Sequence, residues 1–162
     1  MASKKMVGLP PVVDSDTRVL LLGSFPGAAS LAAQQYYAYK HNQFWRLVGD
    51  SVGVELQALD YGHRLTVLKR ARLGLWDVIG RCRRTGSLDG NIRDAEFNDF
   101  ERLIVRCPAL ERACFNGKTA AKHRAHVESF GLEVRVLPSS SPANTTRYVE
   151  KLAQWRDALS EP

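Results

Sequence analysis

The 162 residues are 44% hydrophobic and 25% charged, enough apolar content for one packed core and too much for a disordered chain. A formal charge of +6 and a pI of about 9.5 favour a polyanionic partner, and no apolar run approaches the roughly 20 residues of a membrane span. Cys82, Cys107 and Cys114 form no Cys-x-x-Cys pair and the four histidines bring no partner ligands, so no zinc or iron–sulfur motif is present; free thiols, a cytoplasmic location and no secretory leader are expected.

In chain order, residues 1–16 contain Pro10 and Pro11 and read as a loose or surface-draped head, leaving 17–162 as a single domain. Residues 18–23 read as a buried strand, an apolar run stopped by Gly23. A loop with Pro26 and Gly27 follows, and Ser30 reads as the cap of a short helix holding Leu31. Phe44, Leu47, Val48 and Val52 recur at helical spacing, a further helix is expected around 64–70, and 75–79 reads as the next strand. Residues 93–106 read as one amphipathic helix, with Phe97, Phe100, Leu103 and Ile104 on one face. A short strand at 113–115, a helix over 118–130 closed by Gly131, a strand at 133–137 and a last helix over 145–159 complete the chain.

Strands alternating with helices predict an α/β fold, a three-layer α/β/α sandwich with a short, mainly parallel central sheet. Ligands of such sheets sit beyond the carboxyl ends of the strands. That rule selects residues 23–30, 77–89, 116–119 and 138–144.

Three of these segments carry candidate chemistry. Gly23-Ser24-Phe25-Pro26-Gly27, continuing to Tyr36-Tyr37 and Asn42-Gln43-Phe44-Trp45, offers close backbone approach, flat rings for a base, and an amide able to orient water. It also reads as a plain strand–helix turn followed by core aromatics. Pro138-Ser139-Ser140-Ser141-Pro142-Ala143-Asn144 suits phosphate contact ahead of a helix, or is a solvated loop with Asn144 as N-cap. Asp77 stands before Arg81, Arg83 and Arg84, a set that would bind phosphates or form a solvated basic face.

In this order and at these strand ends, the motifs resemble the uracil-DNA glycosylase superfamily across nearly the whole chain. Gly-Ser-Phe-Pro-Gly with Tyr-Tyr, Asn-Gln-Phe-Trp and Ser-Ser-Ser-Pro-Ala-Asn are most similar to its hypoxanthine-DNA glycosylase branch. The resemblance implies a monofunctional, monomeric enzyme without cofactor or metal. It would flip a deaminated base out of double-stranded DNA and hydrolyse the glycosidic bond through an oxocarbenium-like state. It implies Asn42 as the water-positioning residue, with Ser24 beside it. Ser24 and Phe25 stand where most of the superfamily has Asp, Asn or Glu, and Ser24 alone is a poor base. Gly23, Asn116 and Gly117 would line the pocket, one of Phe25, Tyr36 or Tyr37 would stack on the base, and Asp77 would read it. Lys118, the loop Ser139, Ser140 and Ser141, and Asn144 would hold DNA. Uracil or xanthine excision, a lesion-binding module that does not cut, and a nucleotide-binding domain are the alternatives. The last lacks a Gly-x-x-x-x-Gly-Lys-Ser/Thr loop.

Overall fold

The computed structural model describes residues 4–160; residues 1–3 and 161–162, the ends of the expected head and domain, lie outside the described residues. The strands are β1 (Met6–Val7), β2 (Val19–Gly23), β3 (Leu73–Asp77), β4 (Ile79–Arg83), β5 (Arg93–Phe97), β6 (Arg112–Asn116) and β7 (Glu133–Leu137). The helices are α1 (Ala28–Ala33), α2 (Phe44–Val52), α3 (Tyr61–Arg70), α4 (Phe100–Arg106), α5 (Lys118–Ala121), α6 (Arg124–Glu128) and α7 (Tyr148–Leu159).

The central sheet runs β3–β2–β6–β7, with each adjacent pair parallel. β2 is apolar throughout because both of its faces are covered. Val19 and Leu21 join a core with α2, α3 and α7, while Leu20 and Leu22 join a second core with α4, α5 and α6. Helices on both faces make the expected three-layer α/β/α sandwich. The chain leaves β2 for β3 on one side and returns to β6 on the other, so the strand order reverses at β2. Gly23 pairs with Asp77, and Asn116 with Leu137, so the four carboxyl ends lie level at one edge.

Several expectations are corrected. The head is not loose. β1 pairs with β4, Val12 bridges to Leu75, and Leu9 and Val13 are buried. The strand expected at 75–79 is two strands, because β3 ends at Asp77 and the chain turns into β4 of a second, antiparallel sheet ordered β1–β4–β5. Residues 93–97 are strand β5 rather than helix. Every one of them is exposed, and pairing with β4 outweighs a helical pattern that rested on Phe97 alone. Helix α4 begins only where Asp99 accepts a hydrogen bond from the Arg102 amide at 3.0 Å. The helix expected over 118–130 is broken between α5 and α6, and α7 starts at Tyr148. Ser30 lies inside α1 instead of capping it, and its hydroxyl accepts the Ala38 amide.

Candidate active site

The carboxyl ends of β2, β3 and β6 open into a cleft of ≈ 370 Å³. Gly23 to Ser30, Tyr37, Asn42, Asp77, Asp89, Asn116 and the serine loop form its wall. Sequence reasoning placed most of these residues; the structure adds Tyr39 and, from the selected segment 77–89, brings in Ser87 and Asp89, which sequence reasoning does not single out.

Its centre is a hydrogen-bonded chain of polar side chains. Asn116 ends β6 and accepts the Ser140 amide at 2.8 Å through Oδ1, which fixes Nδ2 as the donor. That Nδ2 donates to Ser140 Oγ at 2.8 Å and to the Tyr37 hydroxyl at 3.3 Å. Ser140 Oγ donates onward to Asn42 Oδ1 at 2.7 Å. Asn42 Oδ1 also accepts the Phe44 amide at 2.9 Å, just before α2. Both lone pairs of this oxygen are therefore taken, and the group Asn42 has left for a ligand is its NH₂. Ser140, expected to touch DNA, is 1% exposed and is instead the link between the two asparagines. The loop carrying it is anchored from beneath by Lys151, a fully buried residue that sequence reasoning missed. Its ammonium donates to Gln43 Oε1 at 2.9 Å, Asn144 O at 2.8 Å and Ser141 O at 3.4 Å.

Asp77, the last residue of β3, is 5% exposed, and its Oδ2 has no hydrogen-bond partner. Burial, reinforced by the Asp89 carboxyl and opposed by Arg84, pushes its pKa up to about 7. Gly23 opposite is needed for space, since a Cβ there would stand 2.6 Å from Asp77 Oδ1. Of the arginines that follow Asp77 in sequence, Arg81 pairs with Glu96 and Arg83 with Asp94. Arg84 is buried, donates to Pro26 O at 2.7 Å and Gly86 O at 2.9 Å, and lies 5.2 Å from the Phe25 ring centre. Its Nη1 is buried without a hydrogen-bond partner.

The ring candidates also separate. Tyr36 is buried, and its hydroxyl donates to Pro10 O at 2.8 Å and Leu9 O at 3.2 Å, which ties down the head. Tyr37 sits at φ 53° with one face stacked on Phe44 at 3.8 Å, so at most its other face is open to a base. Burial and Asp77 raise its pKa and keep the hydroxyl neutral. Phe25 is buried against Ile79 and Cys82 while still lining the cleft.

Ser24 is buried just past the end of β2, where its hydroxyl works against the rise that burial imposes on the Asp89 pKa. Beside the cleft, a wider groove of ≈ 830 Å³ is shared among Asp89, Lys118, Ser139, Ser141 and Asn144. Lys118 is exposed there. Ser139 and Ser141 hydroxyls accept the Ser141 and Ala143 amides, and Asn144 accepts the Thr146 amide; Asn144 thus shapes a turn and does not cap α7. Among the described residues, no group of three or more His, Cys, Asp or Glu side chains is placed to hold a metal, and no helix is long and apolar enough to cross a membrane.

The model of the uracil DNA glycosylase superfamily matches residues 10–160. A hypoxanthine DNA glycosylase of Methanosarcina barkeri is 40% identical over 155 residues, covering 96% of this chain and 98% of the relative. One from Methanosarcina acetivorans is 43% identical over 148 residues, covering 91% and 94%. A solution NMR structure from Methanosarcina acetivorans, described there as a candidate uracil DNA glycosylase, superposes with a TM-score of 0.87 at 41% identity over 96% of this chain and 97% of that one. With the strand-end cleft and the motifs that line it, these matches identify the chain as a member of the uracil DNA glycosylase superfamily.

Proposed function

We propose that this protein is a monofunctional DNA glycosylase that flips a deaminated base, hypoxanthine of deoxyinosine foremost, out of double-stranded DNA and hydrolyses its C1′–N9 bond. The observation that carries this reading is the polar floor of the cleft. Asp77 holds a buried oxygen without a partner and lines the cleft together with Asn42 and Asn116. Buried polar atoms are ordinarily satisfied, and the edge of a flipped base supplies what is missing. The open face of Tyr37 gives the base a surface to stack on. Breaking the bond builds positive charge on the sugar. Asn42 holds the attacking water by donating from its NH₂, and Ser140 and the Phe44 amide fix that group in place. The groove with Lys118, Ser139 and Ser141 receives the flanking phosphates. The two Methanosarcina relatives, named for hypoxanthine, support the choice of base.

The test is a single-turnover assay on labelled duplexes holding one hypoxanthine, uracil or xanthine, with alkaline cleavage of abasic sites. Cutting of the hypoxanthine strand, slowed roughly 10²-fold or more in Asn42→Ala, is expected. Tight duplex binding without abasic product would overturn the reading in favour of a lesion-binding protein.

A further inference from the structure

An attacking water must give up a proton, and most oxygen acceptors in the cleft are already used. Asn42 Oδ1 holds two hydrogen bonds, Asn116 Oδ1 holds the Ser140 amide, and Ser140 Oγ lies between Asn116 and Asn42. Two carboxyls remain, Asp77 and Asp89. Asp77 lies at the floor, at the end of β3, buried against Gly23. Asp89 enters from the wall, on the connection between β4 and β5, half-buried and shared between cleft and groove.

That connection is built onto the β2–α1 loop at two points. Arg84 donates to Pro26 O at 2.7 Å and Ser87 Oγ accepts the Ala28 amide at 2.9 Å, which sets Asp89 in the same cleft wall as Ser24, whose hydroxyl favours the charged form of the aspartate. A turn of 3₁₀ helix, Asp89–Asn91, opens on this aspartate, and Asn91 Nδ2 donates to Thr85 O at 3.1 Å to close the segment. The antiparallel sheet formed by β1, β4 and β5 thus delivers a carboxylate to the mouth of the cleft.

We propose that Asp89 is a catalytic residue that accepts the proton of the attacking water, with Ser24 as the positioning residue that aims it; this rests on the glycosylase reading above. As the C1′–N9 bond breaks, its electron pair leaves with the base. The water oxygen bonds C1′ and one water proton passes to Asp89. The departing base takes up one proton from solvent, Asp89 returns its own to solvent, and one water is consumed. Asp77 and Asp89 divide the work. Burial lifts the floor carboxyl to about 7, so near neutrality it exchanges between acid and carboxylate, while Ser24, Arg84 and Lys122 oppose the rise at the wall carboxyl. The titratable and polar groups that act electrostatically on Asp89 are Ser24 just past β2, Tyr37, Asp77 at the end of β3, Cys82 of β4, Arg84 after it, and Lys122 after α5. Burial raises the Asp89 pKa, against the Ser24 hydroxyl and the charges of Arg84 and Lys122.

The test uses the full chain with Asp89→Asn, Asp89→Gly and Ser24→Ala, measuring single-turnover excision against pH and affinity for a duplex carrying an uncleavable 2′-fluorinated deoxyinosine. Asp89→Asn is expected to slow excision roughly 10²–10⁴-fold, to bind the duplex within about threefold of wild type, and to lose the acidic limb of the pH profile. Added formate should restore part of the rate to Asp89→Gly, and Ser24→Ala should slow excision about tenfold by releasing the carboxylate. A rate for Asp89→Asn within about threefold of wild type overturns the proposal. So does a slow Asp89→Gly that formate leaves unchanged, or a defect confined to affinity. A wild type that cuts no duplex removes the glycosylase reading itself, whereas an active wild type with an active Asp89→Asn removes only the assignment of Asp89.

Discussion

Asp77 is ordinary in sequence and exceptional in place. Its carboxyl ordinarily titrates at 3.8 and in the fold at about 7, with burial the leading cause. Between those values the folded chain keeps a proton that the unfolded chain has released. Its contribution to stability is therefore complete below about 3.8, falls as pH rises, and is fully lost above about 7. Asp77→Asn removes the titration. The variant is expected to match wild type at pH 4 and to exceed it at pH 8 by up to a few kcal/mol in denaturant unfolding, taking about 1.4 kcal/mol per pKa unit as the upper bound. A buried carboxyl left unsatisfied costs stability, which points to a use in binding. Above about pH 7, where wild-type Asp77 is ionised, the same variant should therefore lose preference for hypoxanthine over adenine, because an amide can rotate to donate to adenine N1 whereas a carboxylate only accepts from the N1–H of hypoxanthine. Equal stability of the two proteins at both pH values would remove the argument for a buried, partnerless carboxyl.

At the scale of elements, the parts that could be read in the sequence are those whose residues answer to one layer. β2 is an unbroken apolar run because the sheet buries it on both sides, and α2 repeats its large side chains every three to four residues because one face meets the core. β5 could not be read this way. It is short, charged and exposed, and its only instruction is the partner strand β4, which lies ten residues upstream. Missing β5 meant missing the second sheet, and with it the support that brings Asp89 to the cleft. The head was obscured for a similar reason: Pro10 and Pro11 suggest looseness, yet the carbonyls of Leu9 and Pro10 are bound by Tyr36 across the fold. Lys151 was hidden by its own chemistry, since lysines are almost never fully buried unless paired. Here three acceptors from the α2 entry and the serine loop surround the ammonium. Lys151→Ala leaves those acceptors buried without a donor, and a loss of about 2–4 kcal/mol in unfolding free energy is expected. Weakened excision should accompany it, because Gln43 and Ser140 frame Asn42 and their main chains are joined at 2.9 Å. A variant as stable as wild type would show that the loop holds itself.

Across the whole molecule, the surplus of +6 is not spread evenly. Arg18, Arg81, Arg83, Arg112, Arg124, Arg135 and Arg147 are paired with Asp or Glu, so their charge is largely balanced where it stands. Most of these pairs are exposed and stabilise little; their effect is to leave the net field to other cations, of which Lys118 stands on the groove beside the cleft. Sequence charge predicts a polyanionic partner, and the sheet's strand order puts cleft, groove and serine loop on one edge, where that partner is expected. Duplex affinity should therefore fall steeply with salt. Each phosphate neutralised contributes about −0.9 to the slope of log K against log salt. Lys118→Ala is expected to weaken binding to undamaged and hypoxanthine-containing duplexes by the same factor and to reduce the slope by about 0.9, leaving the single-turnover rate at saturation unchanged. Filter binding across about 50–200 mM salt measures both quantities. An unchanged slope would place the phosphates on another face. A loss restricted to the damaged duplex would make Lys118 a reader of the flipped nucleotide instead of its backbone.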